Sequence, residues 1–137
     1  MGSPAQPPVT EALLVPAGQV MSRPPVFVPP EVTLRSLAEA MAVEGVGALL
    51  VMGPDLPPRL VTERDVVHAL ARGADVDAVA TGEIASERLV TVGPDDTLLE
   101  VAQLMAAHHV RHVVVESGSG VVGVISARDL LQAFVAT

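Results

Sequence analysis

The chain predicts an α/β (α+β) fold built from two β-α-β-β-α repeats packed with pseudo-two-fold symmetry. Three observations predict it. First, the sequence repeats at an offset of 64 residues without a gap, so that Ser22, Val26, Val28, Pro30, Thr33 and Leu34 fall on Ser86, Val90, Val92, Pro94, Thr97 and Leu98. The match runs on through Ala38, Met41, Val46, Val51, Arg64 and Asp65, which fall on Ala102, Met105, Val110, Val115, Arg128 and Asp129. Second, short Val-rich runs in each copy alternate with segments whose apolar residues recur at helical spacing. Third, 50% of the 137 residues are hydrophobic and only 1% aromatic, which implies one aliphatic core too small to divide into independent halves. A unit used twice implies halves that bury one another, with clefts between them.

Residues 1–19 precede the repeat. Pro4, Pro7 and Pro8 predict a disordered tail, and Thr10–Val15 a short helix that Pro16 and Gly18 stop. The first repeat spans 20–71. Val26–Val28 is a short strand ended by Pro29 and Pro30. Thr33 is an N-cap, after which Leu34, Leu37, Ala38 and Met41 lie on one helical face until Gly45 and Gly47. Ala48–Met52 is a continuous apolar run, as in a strand buried on both faces. Gly53–Pro58 turns the chain into a strand at Leu60–Val61, and Thr62 opens a helix through Leu70. The connector is 72–83, with its two glycines. The second repeat, 84–137, follows the same plan. Val90–Val92 is a strand and Thr97 caps a helix with Leu98, Val101, Ala102 and Met105 inward. Val113–Val115 and Val121–Ile125 are strands joined by Ser117-Gly-Ser-Gly, and Ser126 opens a helix ending near Val135.

Composition narrows the function. A net charge of −8 disfavours nucleic acid, whose phosphates need clustered Lys and Arg. The absence of Trp and Tyr disfavours stacking on single strands. No cysteine means no disulfide and no thiolate metal site, which fits a cytoplasmic protein. No apolar run approaches the roughly 20 residues of a membrane helix, and the polar, Pro-rich start is unlike a secretory signal. Neither a Walker-type loop nor a supported nucleophile-base-acid set is present, so no catalytic residue is assigned and the chain is not read as an enzyme.

The strand-to-helix junctions carry the chemistry. The first reads Arg59-Leu-Val-Thr62-Glu-Arg64-Asp65, the second Gly123-Val-Ile-Ser126-Ala-Arg128-Asp129. A carboxylate at the third helical position can accept hydrogen bonds from a vicinal diol, and a helix N-terminus attracts phosphate. The same Ser/Thr-x-x-acid spacing is also that of a helix capping box, which needs no ligand. Arg64 and Arg128 read equally as first-turn surface arginines. His108, His109 and His112 bring imidazoles near one another, but with no acidic residue at ligand spacing they do not make a metal site.

With the 64-residue repeat, the Met21-Ser22 opening and the V-x-P-D/E-x-T-L segment before the first helix, these junctions make the chain resemble a tandem pair of CBS domains (a Bateman module) from about Val20 to Thr137. The resemblance implies a stand-alone regulatory module that binds an adenosine nucleotide (AMP, ADP or ATP) in clefts between the repeats and signals to an effector protein. It requires no cofactor. It implies that Asp65 and Asp129 hold ribose hydroxyls, with Thr62 and Ser126 beside ribose or phosphate and Arg64 and Arg128 near the phosphate end. Leu60 with Val26, Phe27 and Val28, and Val124 with Val90, Thr91 and Val92, would flank adenine. Arg111 and His112 would reach phosphates in the Thr62/Asp65 site, whereas Gly47 and Ala48 offer the other site nothing comparable. Only the second junction keeps the glycine of the motif, Arg59 replacing it in the first. The resemblance and the aliphatic helices together imply a homodimer. The competing expectation is a dimerisation or docking module of the same fold whose nucleotide sites are empty.

Overall fold

The computed structural model describes residues 11–22 and 25–135; the expected Pro-rich tail lies outside the described residues. Residues 25–89 make one compact unit, and 11–22 with 90–135 make the other.

In the 25–89 unit, β1 (Phe27–Val28) runs parallel to β2 (Ala48–Val51), which pairs antiparallel with β3 (Arg59–Thr62) in the order β1-β2-β3. A parallel pair needs a crossover, and α1 (Leu34–Glu44) supplies it. Thr33 caps α1 by accepting the Ser36 N–H at 3.2 Å, and Gly45 ends it in the left-handed conformation at φ 65°. α2 (Glu63–Ala71) leaves β3 directly. Leu34, Leu37 and Met41 of α1 close on Val28, Leu49, Val51 and Val61 to form the core. Each such Leu or Val, fully buried, contributes about 1.5–3 kcal/mol.

The second unit repeats the plan with β4 (Thr91–Val92), α3 (Leu98–His108), β5 (His112–Ser117), β6 (Gly120–Ser126) and α4 (Ala127–Val135). Its core is Val92, Leu98, Val101, Met105, Val113, Val115 and Ile125. The β5–β6 hairpin is longer than its apolar pattern predicts: backbone pairing carries it past Val115, through a bulge, to Ser117 opposite Gly120. β2 is shorter than expected, because exposed Met52 falls outside it.

The compact units are cut differently from the sequence repeat. Val20–Ser22 pack with the elements of the second repeat, and 72–89 with those of the first. Residues 15–22 and 79–86 are one strap built twice. Leu98 N–H donates to Val15 O at 3.0 Å and Leu34 N–H to Val79 O at 3.1 Å. Ala17 N–H reaches Asp96 O at 2.7 Å, and Thr81 N–H reaches Val32 O at 2.7 Å. Gly18 N–H bonds Pro94 O at 2.8 Å, and Gly82 N–H bonds Pro30 O at 2.9 Å. The approach explains the glycines. A Cβ at Gly82 would lie 2.9 Å from Pro30 Cβ, and one at Gly18 3.1 Å from Pro94 Cβ. Each strap ends antiparallel to the last strand of its unit, Ser86 against Leu60 and Ser22 against Val124.

The short helix expected at Thr10–Val15 is a single 3-10 turn, Glu11–Leu14, followed by another at Ala17–Gln19. Ala12 and Ala17 are buried, so 11–22 is part of a core rather than an appendage.

Candidate functional site

Each junction places a hydroxyl and a carboxylate at the start of a helix, and reciprocal bonds hold them there. Asp65 Oδ2 accepts the Thr62 N–H at 2.8 Å, while Thr62 Oγ1 accepts the Asp65 N–H at 3.3 Å. Asp129 Oδ2 accepts the Ser126 N–H at 2.8 Å, and Ser126 Oγ accepts the Asp129 N–H at 3.1 Å. Both are capping boxes, and all four residues are half-buried. In each carboxylate it is Oδ2 that caps the helix, and Oδ1 takes no bond from the described residues. The hydroxyls differ. Thr62 spends its proton on Asp65 Oδ2 at 3.0 Å, whereas the Ser126 proton has no acceptor among the described residues.

The sheet registers assemble the other candidates. Phe27, Leu50 and Leu60 form one row across β1, β2 and β3, and Thr91, Val114 and Val124 the matching row across β4, β5 and β6. Alternation puts these rows on the face opposite the core residues Val51 and Val115, the same face as Thr62 and Ser126. Within each row Leu50 and Val114 are fully buried, while Phe27 and Thr91 are exposed. Val28 and Val92 point instead into the cores. Val26 and Val90 pack on the core margins, their carbonyls accepting the Leu50 and Val114 N–H groups at 3.1 and 2.9 Å.

The remaining candidates are cationic. Arg64 and Arg128 are exposed in the first turns of α2 and α4. His112 pairs across the hairpin with Ser126, and Arg111 O accepts the Ala127 N–H at 2.8 Å. Their backbone therefore flanks the Ser126 box of their own unit. Arg59 shares its row with Val28 and Val51, so it lies on the core face, opposite Leu60. Its Nη1 donates to Gly82 O at 2.8 Å. Gly123, its counterpart, is demanded by the protein itself: a Cβ there would lie 2.6 Å from Met21 Sδ and 2.8 Å from Ser22 O.

Leu50 and Val114, which centre each row, and Ser22 and Ser86, whose backbones bond Val124 and Leu60, join the candidates only in the structure. The signal for the straps was present, since Gly18 and Gly82 obey the same 64-residue offset upstream of Val20. Among the described residues no group of three or more His, Asp or Glu could hold a metal ion. No helix there is long and apolar enough to cross a membrane.

Comparison with known proteins gives this geometry its place. The CBS domain model matches residues 17–72 and 81–136, again 64 residues apart. A mitochondrial CBS domain-containing protein of Arabidopsis thaliana is 31% identical over 109 residues, 75% of this chain; the chain spans only 53% of that relative's length. A protein with CBS domains from Burkholderia ambifaria superposes with a TM-score of 0.83 at 28% identity, covering 89% of this chain and 95% of that one. A CBS domain protein from Pyrobaculum aerophilum, solved in complex with AMP, superposes with a TM-score of 0.76 at 32% identity, covering 90% and 100%. The doubled β-α-β-β-α unit, its paired junctions and these likenesses agree: the chain belongs to the CBS-domain family, as a tandem pair.

Proposed function

We propose that the chain is a regulatory module that binds an adenosine-containing nucleotide of the AMP, ADP or ATP class at its strand-to-helix junctions and reports occupancy to an effector protein. One observation carries this reading. The junction occurs twice with the same 2.8 Å bond to Asp Oδ2, and each leaves Oδ1 beside a helix N-terminus. Oδ1 of Asp65 and of Asp129 then accepts ribose hydroxyls, while the N-terminal N–H groups of α2 and α4 favour phosphate. Leu60 and Val124 with Phe27 and Thr91 offer the base a surface. The AMP complex of the Pyrobaculum relative supports the ligand class. The junctions bind and hold; no bond is broken. A cytoplasmic setting fits a chain without cysteine.

The module acts as a homodimer. α2 and α4 each leave apolar residues in solvent at matched positions, Val67 (59% exposed) and Leu131 (66%), with Leu70 and Phe134 beside them. A second copy covering these helices removes that surface from water. Light scattering across a dilution series then gives twice the 14.1 kDa chain mass.

The same helices favour the second reading, a docking module with empty sites. Calorimetry with AMP, ADP and ATP separates the two. Binding that weakens roughly tenfold or more in Asp65→Ala or Asp129→Ala supports the sensor, a loss of about 1.4 kcal/mol. No heat with any nucleotide up to about 1 mM selects the docking module. Because the chain has no Trp or Tyr, carried-over adenine would dominate the near-ultraviolet spectrum, and mass spectrometry of the released species names it.

A further inference from the structure

The two straps share their backbone bonds but not their fastenings. Two side-chain bonds tie strap 79–86 to its unit, and a third braces the strap internally. Thr81, fully buried, donates its hydroxyl to Val32 O at 2.7 Å. Glu83 Oε2 accepts the Ala80 N–H at 2.7 Å, and Arg59 Nη1 donates to Gly82 O at 2.8 Å. Strap 15–22 lacks all three for chemical reasons. Ala17 stands in place of Thr81 and has no hydroxyl. Pro16 stands in place of Ala80 and has no N–H to give, and Gln19 replaces Glu83. Gly123 stands in place of Arg59 and has no side chain.

The far ends differ in the same direction. Ser86 and Leu60 exchange two backbone bonds, at 2.8 and 3.2 Å. Between Ser22 and Val124 there is one, Ser22 N–H to Val124 O at 2.9 Å. Strap 15–22 is therefore held by its backbone bonds, by buried Ala17, by Val15, Val20 and Met21 packed on the core, and by no side-chain hydrogen bond among the described residues. Each side-chain hydrogen bond shifts an opening equilibrium by roughly two- to tenfold. Lacking two such ties and the internal brace leaves strap 15–22 closer to local opening than the other.

Position adds the second half. Ser22 is bonded to Val124, two residues before Ser126, whose N–H is held by Asp129. A ligand on Ser126, Asp129 and the Val124 row fixes the very strand on which strap 15–22 docks. If it binds the closed form better than the open one, occupancy closes the strap.

We propose that residues 15–22 are a releasable strap whose closure is linked to occupancy of the Ser126/Asp129 junction, while 79–86 is a fixed strap. The ligand link rests on the function proposed above; the difference between the straps does not.

Hydrogen exchange by mass spectrometry on the full chain, with and without saturating AMP, tests both. Without AMP the amides of 17–22 exchange roughly tenfold or more faster than those of 81–86. AMP slows 17–22 and leaves 81–86 unchanged. Ala17→Thr, which restores a hydroxyl facing Asp96 O, slows 17–22 without ligand. Equal ligand-free rates for the two straps overturn the inference. So does AMP that binds by calorimetry yet leaves 17–22 exchanging as before. If calorimetry finds no AMP binding, the proposed function fails and takes the ligand link with it. The releasable strap then stands or falls on the ligand-free rates and on Ala17→Thr.

Discussion

At one position the two units solve the same packing problem with opposite residues. Where the strap passes the last strand, one unit carries Arg59 on the strand and Ala85 on the strap, and the other carries Gly123 and Met21 at the matching positions. The bulk comes from the strand in the first case and from the strap in the second. A Cβ on Gly123 would meet both the Met21 thioether and the Ser22 carbonyl, so the glycine answers to the strap. Arg59 reaches across to Gly82 and adds a polar bond that Met21 cannot make. A motif glycine that looks like a ligand requirement is thus explained by the protein's own chain, and where Arg59 replaces it the strap carries the small Ala85 in place of Met21.

Substitution at that position gives the largest expected effect. Gly123→Ala forces Met21 and the Ser22 carbonyl aside and costs about 1–3 kcal/mol, read from urea unfolding of the full chain. Adding Met21→Ala recovers part of that loss, since it clears the thioether but not the carbonyl. If Gly123→Ala is neutral, the complementarity is absent. Thr81→Ala comes next. It removes a buried hydroxyl from Val32 O and converts the residue to that at position 17, at a cost of about 0.5–1.5 kcal/mol. A cost indistinguishable from that of an exposed Thr→Ala would erase the difference between the straps.

The C-termini of the matched helices sharpen the comparison further. α1 ends on Gly45 at φ 65° and α3 on His109 at φ 55°, both left-handed. Left-handed backbone costs a residue with a Cβ about 1 kcal/mol, so His109→Gly stabilises by about that amount in thermal melts. The smallest effect is at the surface. The Arg35 guanidinium, 2.6 Å from Asp77, holds that carboxyl below its usual range. Its pair therefore contributes above the ordinary carboxylate range and is lost as pH falls through and below it. Leu99 and Leu13 occupy the matching positions and cannot titrate. Asp77→Asn removes this small acid-side slope; an unchanged slope would mean the exposed pair contributes nothing.

Much of the fold is legible in the sequence, because α1 and α3 carry apolar faces with Thr caps and β2 is a buried apolar run. The strap is not legible as core. Its one-turn 3-10 segments are too short to show periodicity, and Ala12 and Ala17 are too small to stand out as buried residues. The β5–β6 hairpin outruns its apolar pattern because backbone pairing extends through Glu116 and Ser117. At the junctions, the spacing of Thr62 with Asp65 and of Ser126 with Asp129 is enough to place the boxes. The row joining Phe27 to Leu60 through Leu50 is not visible in the same way. It depends on the register of a parallel pair whose partners are separated by the whole of α1.

The misfit between repeat and unit has a consequence for how the chain can be divided. What was duplicated is a strap followed by its β-α-β-β-α body, yet each body is finished by the strap that belongs to the other copy. In order of parts, the folding unit is a permutation of the inherited one. A fragment cut at the repeat boundary, 84–137, carries only the end of a strap that serves the other body and omits Ala17, which belongs to its own core. One copy alone is incomplete, and duplication within one polypeptide lets each copy complete its twin.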